Sequence, residues 1–217
     1  MPRMQRGFSL VELLAVIGVL SALAAMLLPS VEASIESARQ VACLNAQRQV
    51  GSAFQCYAND YRNHLIPQWR GITPALYPSW YAQAQAYLGG TELFYACSTP
   101  KDAATHACRG MYYGYNYRNL GMVTVGVASI VRLSQVAHPE ATICIADSRG
   151  DADGWNSQFI ENLYYYPSIA YGVSIGTWCA MTDDRHAGNT GILYVDGHGG
   201  MVPWDTVNRS GALWDRR

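Results

Sequence analysis

The stretch that decides the fold lies at the N-terminus, where residues 1–29 read MPRMQRGFSLVELLAVIGVLSALAAMLLP. A short basic segment containing Arg3 and Arg6 is followed by an apolar run of 21 residues, 8–28. As a helix this run would be about 31 Å long, which is enough to cross the hydrocarbon core of a bilayer. The two arginines favour a cytoplasmic N-terminus, because positive charge is retained on that side of the membrane.

One acidic residue, Glu12, interrupts the apolar run. A carboxylate within a membrane span is costly, so a glutamate at this position indicates a functional role. An ordinary secretory signal peptide would have a shorter apolar core followed by a cleavage site of small residues, which residues 21–25 resemble. The run is too long for that interpretation, and a plain signal anchor leaves Glu12 unexplained.

The segment Gly7-Phe8-Ser9-Leu10-Val11-Glu12, followed later by Pro29, resembles the N-terminal motif of type IV prepilins and type II secretion pseudopilins. The resemblance implies cleavage between Gly7 and Phe8 by a prepilin peptidase and N-methylation of the new terminal Phe8. It also implies that Glu12 pairs with the N-terminal amine of a neighbouring subunit during assembly. The leader peptide would be residues 1–7, and the transmembrane assembly helix would be residues 8–28.

Beyond Pro29 the apolar residues recur every three or four positions, as on one face of a helix. They are Val31, Ile35, Ala38, Ala42, Ala46, Val50, Ala53 and Tyr57. Residues 29–62 are therefore predicted to continue the helix in amphipathic form, and residues 63–217 to form a globular head. The expected fold class is α+β and pilin-like, with a long N-terminal helix packed on a small antiparallel β-sheet.

The second half of the head is strand-like. The clearest buried strand is predicted at residues 141–146, and a short helix is predicted at residues 81–88. Weaker strand candidates lie at residues 94–96, 111–117, 123–125, 130–131, 164–166 and 172–178. Residues 191–195 and 198–202 flank Asp196-Gly197, a dipeptide that favours a hairpin with a type I′ turn.

A second motif ends in this turn. It consists of His186, nine intervening residues and then Asp196-Gly197. It resembles the His-x9-Asp-Gly signature of a subfamily of prepilin-type proteins. A catalytic role for His186 with Asp147 or Asp196 lacks an accompanying nucleophile motif, and geometry must precede any acid–base assignment. His186, Asp196 and Gly197 are therefore predicted to be structural, with His186 packed near the turn, and the chain is predicted not to be an enzyme.

Six cysteines are expected to lie in an oxidising compartment, where disulfides persist. On one helix Cys43 and Cys56 would lie about 20 Å apart, which is beyond disulfide reach. The favoured bridge joins Cys97 to Cys108, and its rival joins Cys43 to Cys97. A buried thiol is the alternative for Cys144.

The segment Asp151-Ala152-Asp153-Gly154 resembles half of a calcium-binding loop, in which alternating carboxylates face one cation. The third ligand and the terminal glutamate of the full pattern are absent from the sequence. A polar turn is the preferred interpretation. No metal or cofactor is therefore predicted, and calcium at Asp151 and Asp153 is kept as the alternative.

The sequence thus predicts a structural subunit, a pilin or pseudopilin, of a type IV pilus or a type II secretion filament. The expected partners are prepilin peptidase, other copies of the chain, minor pilins or pseudopilins, the inner-membrane assembly platform and, before assembly, membrane lipid. The helix would cross the inner membrane once, with the head outside the cytoplasm in the periplasm or at the cell surface. A net charge of −1 gives no electrostatic basis for nucleic-acid binding.

The alternative function is a membrane-anchored binding module, a carbohydrate-binding protein or surface adhesin that uses the same export route. Its binding surface would be built from exposed aromatic side chains. The candidates are Trp69, Trp80, residues 112–117 and residues 164–166. Aromatic side chains more often belong to a core or a subunit interface, so their exposure distinguishes the two functions.

Overall fold

The computed structural model describes residues 9–70, 79–90, 92–95, 113–124, 127–150, 181–182, 184–210 and 213–215. The chain divides into two compact units, Met1–Ala38 and Arg39–Arg217. One helix, α1, runs from Leu10 to Asp60 and contributes residues to both units. The prediction of a long N-terminal helix is confirmed.

In the first unit, α1 exposes its apolar side chains. Its most apolar window of 18 residues has a mean hydropathy of 2.5, and none of that window is buried. In the described part of the chain, α1 is the one helix long and apolar enough to cross a membrane. Four serine hydroxyls of this unit each donate a hydrogen bond to a backbone carbonyl about one turn earlier in the helix. They belong to Ser21, Ser30, Ser34 and Ser37.

The second unit contains the rest of α1 and the head. In chain order its further helices and strands are β1 (Gln68–Arg70), α2 (Trp80–Leu88), β2 (Tyr113–Tyr115), α3 (Tyr117–Leu120), β3 (Gly121–Thr124), β4 (Val127–Ile130), β5 (Ile143–Gly150), β6 (Met181–Thr182), β7 (Asn189–Tyr194), β8 (Gly199–Pro203) and α4 (Trp204–Arg209). Short turns of 3-10 helix lie at Glu92–Tyr95 and Leu133–Gln135.

The main sheet of the head is antiparallel and has the strand order β2-β5-β7-β8. Strand β6 pairs with the last residues of β5, beyond the point where β5 leaves β7. The expected α+β fold with a small antiparallel sheet is confirmed. The strand predicted at residues 141–146 corresponds to the first half of β5, which lies inside this sheet.

A second sheet of three strands has the order β1-β3-β4, and its β1–β3 pair is parallel. This parallel pair was not predicted, because a strand of three residues is too short to show a clear alternation. The strand predicted at residues 94–96 is wrong, since Glu92–Tyr95 is a turn of 3-10 helix with Phe94 buried. The strands predicted at residues 164–166 and 172–178 lie outside the described residues.

The head half of α1 packs on the main sheet through a face of small and apolar side chains. Its buried members are Cys43, Ala46, Gln47, Val50, Gly51, Ala53, Phe54, Tyr57 and Ala58. The ring centroid of Phe54 lies 5.2 Å from that of Tyr115 and 5.8 Å from that of Trp80. Aromatic pairs at such distances add to the energy of burial, so this cluster joins α1, α2 and β2 in one core.

Candidate functional site

Glu12 lies in the first turn of α1, and its carboxylate caps the helix. Its Oε2 accepts a hydrogen bond of 2.9 Å from the backbone N–H of Ser9. This is the glutamate half of a capping box, and a negative charge in the first turn also interacts favourably with the helix dipole. The Glu12 side chain remains exposed on the helix surface, so a cation of another chain is able to reach it.

Large apolar side chains surround this carboxylate on the surface of α1. Val11 is 71% exposed and Leu13 is 58% exposed, and similar exposure continues along the run. Such a surface is unfavourable in water, and a lipid bilayer or other copies of the helix would cover it. Gly7 and Phe8, the predicted cleavage and methylation residues, lie outside the described residues.

A second group of polar residues is buried between α1 and the main sheet. The carboxylate of Asp147 in β5 accepts hydrogen bonds from Gly191 N at 2.7 Å and from Gln47 Nε2 at 3.1 Å. His186 Nε2 lies 3.6 Å from the same carboxylate, and the side chains of Gln47, Asp147 and His186 are fully buried. These groups are closed to solvent, and their hydrogen bonds stabilise the contact between helix and sheet.

The two ends of the His-x9-Asp-Gly motif lie in different places. Of the two carboxylates considered for His186, Asp147 lies beside it. Asp196 follows the other end of β7, where its carboxylate is 2.6 Å from His198 Nδ1. The expectation that His186 packs near the turn is wrong, because the six-residue strand β7 lies between them.

The hairpin between β7 and β8 turns through three residues, Val195, Asp196 and Gly197. Gly197 N donates to Tyr194 O at 3.0 Å, and Tyr194 N donates to His198 O at 2.9 Å. Gly197 has a φ of 95°, whereas Asp196 does not have a positive φ. The predicted type I′ turn is therefore wrong, and the loop is a type I turn with a glycine bulge, which commonly closes three-residue hairpins.

Replacing Gly197 with valine is expected to lower the free energy of unfolding by about 1–3 kcal/mol. No heavy atom lies within 4 Å of a Cβ built at Gly197, so the loss would come from its positive φ rather than from a clash. Gly200 in β8 is the control position, because it has the same open surroundings without a positive φ. Urea unfolding of the full chain in detergent should show a loss for Gly197→Val and none for Gly200→Val, and equal losses would contradict the turn assignment.

The described cysteines differ in accessibility. Cys144 in β5 carries a buried thiol, and burial away from water raises the pKa of that thiol. Cys56, near the end of α1, carries an exposed thiol. The buried thiol considered for Cys144 is thus confirmed. Cys97 and Cys108 lie outside the described residues, so the bridge between them stays a prediction.

Alkylation of the native chain should separate these two thiols. With iodoacetamide at neutral pH, Cys56 is expected to react while Cys144 stays protected, because the reactive thiolate of Cys144 is both inaccessible and disfavoured. Peptide mass spectrometry measures modification at each site, and in urea both cysteines should react. Rapid modification of Cys144 in the native chain would show that its thiol is not buried.

The aromatic side chains considered for a sugar-binding surface are core residues wherever the structure describes them. Four of them are 0% exposed: Trp80, Tyr113, Tyr115 and Tyr117. The side chain of Trp69, Tyr112 and residues 164–166 lie outside the described part. These four rings are packed inside the core, so they provide no surface for a carbohydrate.

No candidate metal centre is found among the residues that the structure describes, since no group of three or more His, Cys, Asp or Glu side chains there is arranged to hold an ion. Asp151 and Asp153 lie outside those residues. Calcium at this pair therefore remains an untested alternative.

Comparison with protein-family models matches residues 2–28 to the prokaryotic N-terminal methylation motif. Comparison with curated proteins and with solved structures gave no match. The matched residues include Gly7, Phe8 and Glu12, so the chain carries a prepilin-type N-terminal motif on a long apolar helix. The motif supports a type IV pilin-like or pseudopilin-like protein that is processed by prepilin peptidase.

Proteins marked by this motif are structural and pilin-like, and they are not enzymes. The motif and the apolar helix together fit membrane anchoring with the head outside the cytoplasm. The C-terminal His-x9-Asp-Gly resemblance lies beyond the matched residues and stays a prediction.

Proposed function

We propose that the mature chain is a structural subunit of a type IV pilus or a type II secretion filament. The observation that carries this proposal is the exposed apolar half of α1, in which Glu12 is the one charged residue between positions 10 and 28. Two environments cover a helix of this kind, lipid and other copies of the helix. A filament core would bury the same side chains that the membrane covers before assembly.

Glu12 supports pairing between neighbouring subunits through its charge. Cleavage after Gly7 would create a positively charged amine on Phe8, and the exposed Glu12 carboxylate of another copy is a suitable partner. Opposite charges attract strongly at low dielectric, and neither charge is favourable there alone. Such a pair would set the stagger between adjacent subunits.

Before assembly the subunit would lie in the inner membrane, with α1 across the bilayer and the head outside the cytoplasm. Its proposed partners are prepilin peptidase, the assembly platform, minor pilins or pseudopilins and further copies of itself. Membrane lipid would cover the apolar helix until these copies replace it. This role requires no metal or cofactor.

Processing at Gly7 is the first step of the proposed function. Co-expression of the full chain with a prepilin peptidase should shorten it by the seven residues 1–7. Gly7→Val should block the shortening, because the resemblance implies a small residue at the cleavage position. Gly18→Val is the control, since Gly18 lies in the same apolar run and no atom lies within 4 Å of a Cβ built there.

Intact mass and gel mobility measure the processed fraction of each chain. The unmodified chain and Gly18→Val should be processed alike, and Gly7→Val should keep its leader. Normal processing of Gly7→Val, or no processing of the unmodified chain, would refute the assignment.

A further inference from the structure

Helix α1 contacts strand β7 at two places and the first residue of the following loop at a third, and the three contacts are evenly spaced along both stretches of chain. The pairs are Gln47 with Gly191, Gly51 with Leu193, and Gln55 with Val195. From one contact to the next, the chain advances by one step of four residues in the helix and two residues in the strand and loop. These steps are about 6 Å and about 7 Å long, so the two elements stay in register over the whole contact.

The two outer contacts are hydrogen bonds from glutamine side chains to strand carbonyls. Gln47 Nε2 donates to Gly191 O at 3.1 Å, and Gln55 Nε2 donates to Val195 O at 3.0 Å. Gln47 Nε2 also donates at 3.1 Å to the buried carboxylate of Asp147, which accepts a further bond from Gly191 N. A buried carboxylate that loses a partner is strongly destabilising, so the observed register is favoured over its neighbours.

Two glycines of the contact are closely surrounded by side chains. A Cβ built on Gly51 would lie 2.8 Å from Leu193 Cδ2, and a Cβ built on Gly191 would lie 2.9 Å from Asp147 Oδ2. The rest of this helix face also resists sliding, because the ring of Phe54 packs against Trp80 and Tyr115. A slip of one step would place a glutamine amide against Leu193 and remove the amide partner of Asp147.

We propose that Gln47, Gln55 and Asp147 form a register clamp that fixes the axial position of α1 on the head. The clamp also gives the His-x9-Asp-Gly motif a role. His186 contacts the clamp at Asp147, and Asp196-Gly197 closes the loop directly after Val195. The nine residues between His186 and Asp196 include β7, so the length of this spacer matches the distance between the two ends of the clamp. The clamp determines which residues of α1 the head covers, whether or not the chain forms filaments.

Two native cysteines report this register. Cys43 lies on α1 one turn before Gln47 and is fully buried, whereas Cys144 is buried in β5. Gln47→Met removes the amide and keeps an unbranched, flexible side chain. Gln49→Met is the matched control, at an exposed position of the same helix. The full chain in detergent is alkylated under native conditions, and mass spectrometry follows the modification rate of each cysteine.

In Gln47→Met the modification rate of Cys43 should rise about tenfold or more, because a hydrogen bond to a buried charge is lost. Cys144 should stay protected in the same sample, and Gln49→Met should behave as the unmodified chain. Unchanged protection of Cys43 would overturn the clamp. A joint rise at Cys43 and Cys144 would also overturn it, because Gln47 would then contribute only to overall stability.

A second variant keeps the test decisive if Gln47→Met does not fold. Gln55 is half-buried, so Gln55→Met removes the other outer hydrogen bond with less disturbance of the core. The same selective rise at Cys43 is expected, and its absence or a joint rise with Cys144 would overturn the clamp in the same way.

Discussion

Replacing Glu12 with alanine is expected to abolish filament assembly while leaving membrane insertion and the head intact. The change removes the one charge between positions 10 and 28, which would favour the helix in lipid by up to about 3 kcal/mol. Loss of assembly would therefore not result from poor insertion. It would result from the loss of a charged partner for the N-terminal amine of a neighbouring subunit.

Two further variants separate the charge of Glu12 from its capping role. Glu12→Gln keeps an acceptor for the Ser9 N–H, which now bonds to Glu12 at 2.9 Å, but it carries no charge. Glu32→Ala removes an exposed acid of the same helix outside the apolar run. Electron microscopy and quantification of sheared filaments should show no filaments for either Glu12 variant. The same measurements should show normal filaments for Glu32→Ala.

The possible outcomes distinguish three roles for Glu12. Filaments from Glu12→Gln but not from Glu12→Ala would mean that assembly needs the helix cap rather than the charge. Filaments from both variants would contradict any role for Glu12 in assembly. Loss of filaments in Glu32→Ala as well would point to a general requirement for acidic residues on α1.

Trp214→Ala is expected to produce a large loss of head stability, about 3–5 kcal/mol. Trp214 is 1% exposed and belongs to a buried cluster with Ile143, Ile192 and Val207. Its Nε1 donates to Val207 O at 2.9 Å, and its carbonyl accepts a bond of 3.0 Å from Asn116 Nδ2. The ring thus anchors residues near the C-terminus to β5 and β7, and its removal would leave a cavity at that junction.

For a unit of this size the loss corresponds to a fall in melting temperature on the order of 6–20 °C. Trp204→Ala is the comparison, because Trp204 begins α4 and is only half-buried. Thermal melting of the full chain in detergent, followed by near-ultraviolet circular dichroism, measures both variants. An equal or larger fall for Trp204→Ala would show that Trp214 is not the main anchor.

The long helix was predictable because one property, the spacing of apolar residues, persists over many turns. Eight apolar residues were expected on one face, and the last four of them, from Ala46 to Tyr57, are buried in the head. The first four, from Val31 to Ala42, are exposed. Strand β5 was predictable for a related reason, since its first residues form a short apolar run. Patterns of this kind are visible in the sequence because apolar residues recur at a regular spacing or follow one another directly.

The junction at Asp147 was not predictable, because it joins residues that are distant in the chain. Asp147 lies 100 positions from Gln47 and 44 from Gly191, and their local sequences do not indicate a contact. Asp147 and Asp196 were both considered as partners of His186, but the sequence gave no basis for choosing Asp147, which is its neighbour in the structure. Such contacts follow from the placement of β5 and β7 beneath α1, which local pattern does not encode.

The prediction of a type I′ turn was wrong for a local reason. Asp196-Gly197 is compatible with a two-residue loop and with a three-residue loop, since both place glycine at a positive φ. Val195 decides between them, and its β-branched side chain favours a strand and therefore the shorter loop. In the folded head Gln55 donates to the Val195 carbonyl, a contact with α1 that only the tertiary structure supplies.

The N-terminal mass of the chain taken from isolated filaments tests the central claim most directly. The prepilin-type motif occupies residues 2–28, and processing of this motif would remove residues 1–7. The expected terminal peptide begins at Phe8 and is one methyl group heavier than the unmodified sequence. A terminal peptide that begins at Met1, or that begins after Ala24 or Ala25 as a signal peptidase would leave it, would contradict the assignment.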